Sequence, residues 1–304
     1  MNMGENQIAM PKPKPIHTVL PIKLRRCLTG SVAASIIMIS IGILLTGPES
    51  TRGAEVVPES RDTWQGYSRV NFSLDGRKCF IVEPENKSGS GLWIWRARFF
   101  GHEPQLDLAL LERGYHLAFC DVSNLYGNDE AVQRWDTFYE FATREFQLDR
   151  RVVLEGMSRG GLIIYNWAAA NPDKVAAIYA DAPVLDIRSW PGGMGKGKKS
   201  AGDWSRCLAA YNLTEESTRH FDGNPFDRLA PLASAGIPLI HVVGMADDVV
   251  PVSENTDILA ARYQKLGGRI QVIRKKGVGH HPHSLRNPEL ILNFLDRFSL
   301  NHQP

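Results

Sequence analysis

The chain has 304 residues, 43% of them hydrophobic and 22% charged, a balance that excludes a disordered, collagenous, coiled-coil or polytopic membrane protein. Its length accommodates one large α/β domain or two small ones, and a net charge of +2 gives no reason to expect nucleic acid as a partner. That charge is uneven: residues 1–47 carry Lys12, Lys14, Lys23, Arg25 and Arg26 against Glu5 alone, or +4, leaving −2 for the rest.

The first element in chain order is this basic stretch followed by the uncharged run 27–47, the pattern of an export signal. The run is also long enough to cross a bilayer as a helix. A cleaved signal peptide is favoured over an uncleaved membrane anchor, with residues 1–54 as targeting segment and linker and a cleavage site after Ala54, to which Arg52 fits poorly. Either way the basic residues stay cytoplasmic and the remainder is expected in the periplasm or outside the cell. Beyond Cys27, the three cysteines Cys79, Cys120 and Cys207 are an odd number without motif spacing, so neither a disulfide framework nor a zinc site is expected.

From about residue 66, strands alternate with helices. The segments 68–74 and 77–82 flank Asp75-Gly76, a hairpin signal. A strand over 92–95 follows, then a helix over 105–113 closed by Gly114. Strand 116–121, helix 129–146, strand 151–155, helix 159–170 and strand 175–179 come next. After an interruption over 185–234, strand 239–244, helix 254–266, strand 270–274 and helix 288–300 complete the alternation. Near-continuous apolar strands between helices predict a mainly parallel sheet covered on both faces. The interruption predicts a lid above the strand ends. The folded domain is therefore assigned to residues 55–304.

Within the interruption, Gly192-Gly-Met-Gly-Lys-Gly-Lys198-Lys199 nearly spells a phosphate loop, but it lacks Ser or Thr at position 199 and no strand runs into it.

The most informative motif is Gly156-Met-Ser158-Arg-Gly160-Gly161. It sits between an apolar strand and a helix, the setting a nucleophile elbow needs, with Gly156 and Gly160 relieving the crowded turn. Ser158 then stands at a helix N-terminus that favours developing negative charge. The orienting acid belongs after a later strand, where Gly244-Met-Ala-Asp247-Asp248 offers Asp247 first and Asp248 second. The base belongs after the last strand, where Gly279-His280-His281-Pro-His283 offers His280 first and His281 as its rival, Gly279 leaving room for the approach. The oxyanion donors are assigned to the backbone N–H groups of Arg159 and, in the loop after strand 92–95, Arg96. Trp95 and Trp190 are taken as pocket-lining residues, with Trp93 and Tyr126 lining the pocket or filling the core.

In order and context these motifs resemble the α/β hydrolase family over residues 66–300, and within it bacterial carbohydrate esterases and the catalytic domain of prolyl oligopeptidases. The resemblance implies a serine hydrolase acting through an acyl-enzyme, with no cofactor and no metal. No His-Gly-Gly-Gly oxyanion motif is present, which argues against the hormone-sensitive-lipase type of esterase. No N-terminal propeller is seen either, so an esterase acting on small-molecule or carbohydrate esters is expected ahead of a peptidase. A non-catalytic binding protein is the third reading, and the oligomeric state is open.

Overall fold

The structure, a computed structural model, describes residues 56–298 apart from 87, 88 and 90. The expected targeting segment lies outside the described residues. Among those described, no helix is long and apolar enough to cross a membrane.

Among the described residues an antiparallel meander comes first: β1 (Val56–Trp64), β2 (Tyr67–Leu74) and β3 (Arg77–Val82), with Asp75-Gly76 turning the second hairpin as its sequence requires. Strand β1 was not anticipated. It carries Pro58 and several charged residues and lies at the sheet edge, so it shows little of the apolar alternation that marks a half-buried strand.

From there β4 (Trp93–Arg96), β5 (His116–Cys120), β6 (Val152–Met157), β7 (Val175–Asp181), β8 (Leu239–Gly244) and β9 (Ile270–Lys275) run parallel. The sheet order is β1-β2-β3-β5-β4-β6-β7-β8-β9, and β3 joins the parallel part through an antiparallel pairing with β5. Swapping β4 and β5 in space places β4 beside β6, so the loops leaving these two strands emerge next to each other.

Alternation along the buried strands feeds two cores. Trp93, Trp95, Val152 and Leu154 face one side, where α2 (Asp129–Glu145), α3 (Gly160–Ala170) and α6 (Thr256–Lys265) cover them. Ile94 and Val153 face the other, under α1 (Gln105–Glu112) and α7 (Glu289–Phe298). Helix α1 gives way to Gly114 at φ +84°, and α2 starts where the Asn128 side chain accepts from the Ala131 N–H at 3.0 Å. Cys79 and Cys120 oppose each other in the β3–β5 register as buried free thiols, and Cys207 is buried and free as well.

His241 on β8 is fully buried between the Tyr165 hydroxyl at 2.6 Å and the Thr256 hydroxyl at 3.0 Å. Burial pulls it from its ordinary 6.5 down to about 3, so the folded ring stays neutral where an unfolded one takes up a proton. Its contribution is complete above pH 6.5 and is lost as pH falls toward 3, at about 1.4 kcal/mol per pH unit. Denaturant unfolding between pH 6.5 and 4.5 is therefore expected to show a shallower acid slope in His241→Asn than in the parent. Equal slopes would refute this.

Candidate active site

Ser158 occupies the turn between β6 and α3 at φ +48°, a left-handed conformation held by two flanking hydrogen bonds. Its N–H donates to Asp181 O at 2.8 Å, and its carbonyl accepts from Val184 N at 2.9 Å. A Cβ on Gly156 would meet Ile164 Cδ1 at 2.6 Å and Gly160 O at 2.8 Å, which explains that glycine. Gly160 is not pinched in the same way, since its Cβ would meet Ala97 Cβ at 3.5 Å, an ordinary contact. The second crowded position is Gly161, where a Cβ would lie 2.7 Å from both Pro183 Cβ and Val184 O.

The loops after β8 and β9 converge on this serine. His280 Nε2 stands 3.0 Å from Ser158 Oγ, and His280 Nδ1 stands 2.7 Å from Asp247 Oδ2. Asp247 Oδ1 accepts from the N–H groups of Val249 and Val250 at 2.9 and 2.8 Å, which locks the carboxylate's orientation. All three side chains are buried. Both nitrogens of His280 are thereby engaged, while His281 is exposed, lies outside this chain of contacts and is lowered by burial and by the neighbouring His283, His280 and His102. Asp248 is exposed and pairs with Lys198 Nζ at 2.6 Å, a hydrogen bond that holds its carboxyl below the usual range. The glycine that lets the two loops meet is Gly244, because a Cβ there would sit 2.0 Å from Gly279 O. Gly279 itself would tolerate one, with Ala246 O at 3.7 Å.

Two sequence assignments are corrected. Arg96 is not in the loop but ends β4, in register with Phe119 on one side and Glu155 on the other, so its backbone belongs to the sheet. Ala97 N still donates to Glu155 O at 2.9 Å, and Arg98 is the first residue beyond that ladder. The Arg98 amide nitrogen lies 4.0 Å from the Cβ position of Gly160, close to the elbow. The Arg96 side chain is buried, pairing with Asp107 and, at 3.2 Å, with Glu155. Trp95 is a core residue instead: it is fully buried, stacked on Trp135 at 3.9 Å and edge-on to Trp167 at 5.2 Å. Trp93 joins the same core, with its indole N–H donating to Asp149 O.

The expected insertion over 185–234 contains α4 (Ala201–Tyr211) and α5 (Ala230–Ser234) between β7 and β8. Arg159, the residue after Ser158, ties the elbow to it: its Nη1 donates to Asp203 Oδ1 on α4 at 2.9 Å, and its guanidinium lies over the rings of Phe99 and Trp190. Burial disfavours a charged Asp203, yet hydrogen bonds from Ser200, Tyr126 and Arg206, with Arg159 beside it, hold it at about 2. Arg98 and Arg159 together line a crevice with Tyr126 and Gly160. Burial, and then repulsion from Arg159, lowers Arg98. Sequence reading had no means of finding Arg98, Asp203 or the role of Tyr126, because their partners come from distant segments and follow no motif.

A model for the family described as prolyl oligopeptidase matches residues 113–302. No curated protein matches the chain. Among solved structures, the acylaminoacyl peptidase of Pyrococcus horikoshii superposes with a TM-score of 0.58 at 16% identity, over 84% of this chain and 43% of that one. A puromycin-hydrolyzing peptidase of Mycobacterium tuberculosis gives 0.57 at 12% identity, over 83% and 40%. Acetyl xylan esterase 1 of Thermoanaerobacterium sp. JW/SL YS485 gives 0.54 at 16% identity, over 80% and 86%. The chain thus spans about two fifths of the length of these peptidases, and at such identities the likeness establishes the α/β hydrolase fold.

Proposed function

Because the chain belongs to the prolyl oligopeptidase family, we propose that it is a serine hydrolase in which Ser158, His280 and Asp247 act as nucleophile, general base and orienting acid. The observation that carries this reading is the unbroken contact from Asp247 through both ring nitrogens of His280 to the Ser158 oxygen. Ser158 Oγ attacks the substrate carbonyl while its proton passes to His280 Nε2, and Asp247 stabilises the imidazolium through Nδ1–H. The carbonyl electron pair moves onto oxygen, where the amide of Arg159 at the start of α3 and the amide of Arg98 receive it. Each such donor contributes about 3–4 kcal/mol to the transition state. His280 then gives its proton to the leaving group, and water, deprotonated by the same ring, releases the acyl group.

The substrate we propose is a carboxylic ester, with acylated carbohydrates foremost. The half-buried Trp190 and the guanidiniums of Arg98 and Arg159 offer an aromatic face and hydrogen-bond donors beside the nucleophile, a combination suited to hydroxyl-rich groups. The likeness to the acetyl xylan esterase over 86% of its length supports this reading. The family match favours a second one, a serine peptidase. A panel of p-nitrophenyl acyl esters, acetylated sugars and prolyl or acylaminoacyl peptides separates them: higher kcat/KM on esters supports the first, and higher kcat/KM on peptides overturns it. We further propose, from the basic and apolar pattern of residues 1–47, that the enzyme works outside the cytoplasm, with 27–47 as a membrane anchor if it is left uncleaved.

A further inference from the structure

We propose that His102, His281 and His283 form a binding site for a zinc-class divalent cation, separate from the hydrolytic chain of contacts. One ring nitrogen from each lies within 4.8 Å of the others. The three rings stand nearly perpendicular to one another, at 83° to 88°, with centroids 4.7 to 5.9 Å apart. The rings thus pack edge to face rather than stacking, and one nitrogen of each comes near the other two. His280, although adjacent, is outside the set because both its nitrogens are engaged by Ser158 and Asp247.

The donor set selects the metal. Imidazoles without thiolates suit zinc, copper or nickel over calcium or magnesium, and zinc commonly takes three protein ligands with solvent in the fourth position. Zinc–nitrogen bonds of about 2.0–2.1 Å place ligand nitrogens roughly 3.3 Å apart in a tetrahedron, so the rings must close by about 1.5 Å. His102 and His281 are exposed and free to turn inward, while His283 is buried and supplies the fixed corner.

Two anchors prepare the site. His283 Nδ1 lies 2.6 Å from Asp181 Oδ1, whose other oxygen accepts from Ser284 N at 2.8 Å, so a buried carboxylate orients the ring and leaves Nε2 for a metal. A carboxylate behind a histidine in this way is the usual outer support of a ligating imidazole. The His102 loop is held from below by Arg96, whose Nη2 donates to the carbonyls of His102 and Phe99, and by His102 N donating to Phe99 O at 3.0 Å. A cation bound here stands one imidazole from His280, whose ring centroid is 4.8 Å from that of His283.

The test is titration of the chelator-treated full chain with Co(II), followed by displacement with Zn(II). One Co(II) per chain, with visible absorption bands of nitrogen coordination, is the expected result. His102→Ala and His281→Ala each weaken binding at least about tenfold, as loss of even an outer support does. His280→Ala binds like the parent, which separates this site from any metal held by the hydrolytic imidazole. Circular dichroism melts without metal check that the variants, both at exposed positions, are folded. Absence of Co(II) binding in the parent, or equal affinity in His102→Ala, overturns the proposal.

Discussion

Alanine at position 158 is expected to lower kcat by about 10⁶-fold, or roughly 8 kcal/mol of transition-state stabilisation, while leaving the fold intact. The serine oxygen makes one polar contact of note, to His280 Nε2 at 3.0 Å, so its removal leaves the sheet and the elbow in place. A fluorophosphonate probe should label the parent and not Ser158→Ala. His280→Ala should cost about as much on its own, and the two losses should not add, because nucleophile and base act as a unit. Asp247→Asn keeps the shape but disfavours the working tautomer, for a loss of about 10⁴-fold. Asp248→Asn, which removes only a surface pair with Lys198, should stay close to the parent. Activity surviving in His280→Ala but not in His281→Ala would move the base to His281. An unlabelled parent would remove the hydrolase reading altogether.

The largest stability effect is expected from Arg96→Met, at about 3–5 kcal/mol, because it strips the cation from two buried acids. Arg96, Asp107 and Glu155 have side chains 1%, 0% and 1% exposed, so water cannot take over the lost interactions. Burial, and next the charge of Asp107, push the Glu155 carboxyl well above its ordinary range, whereas Arg96 pulls it down. One buried cation thus faces two buried acids, Asp107 and, at 3.2 Å, Glu155. For a domain of this size such a loss lowers the Tm by roughly 6–20 °C. The triple variant Arg96→Met, Asp107→Asn, Glu155→Gln should recover part of it, since no buried charge is left uncompensated. A Tm for Arg96→Met within 2 °C or so of the parent would show that the cation is dispensable. Because Arg96 also carries the carbonyls of Phe99 and His102, the single variant should lose kcat beyond what unfolding explains.

What the sequence determined by itself was whatever depends on near neighbours along the chain. Strand and helix periods, the cap at Gly114 and the Asp75-Gly76 hairpin are local geometry, and the elements formed within a few residues of their expected bounds. The strand, turn and helix around Ser158 were legible for the same reason, and the order of the later loops offered Asp247 and His280 as first choices.

Only the tertiary structure could choose between adjacent residues. His280 and His281 differ by one position in a loop, and which ring faces Ser158 depends on how that loop rests on Gly244. The end of β4 likewise put Arg96 in the sheet: the strand runs one residue past its apolar pattern and Ala97 N still bonds Glu155 O, so the first amide beyond the ladder is that of Arg98, two residues on. Trp95 looked like a pocket residue because an indole fits a site or a core equally well, and only its stacking on Trp135 and Trp167 decided the matter. The charged links from Arg159 to Asp203, and the gathering of His102 with His281 and His283, join segments far apart in the chain. Such contacts obey no spacing rule, since they arise from folding the backbone in three dimensions and leave no periodic trace in the order of residues.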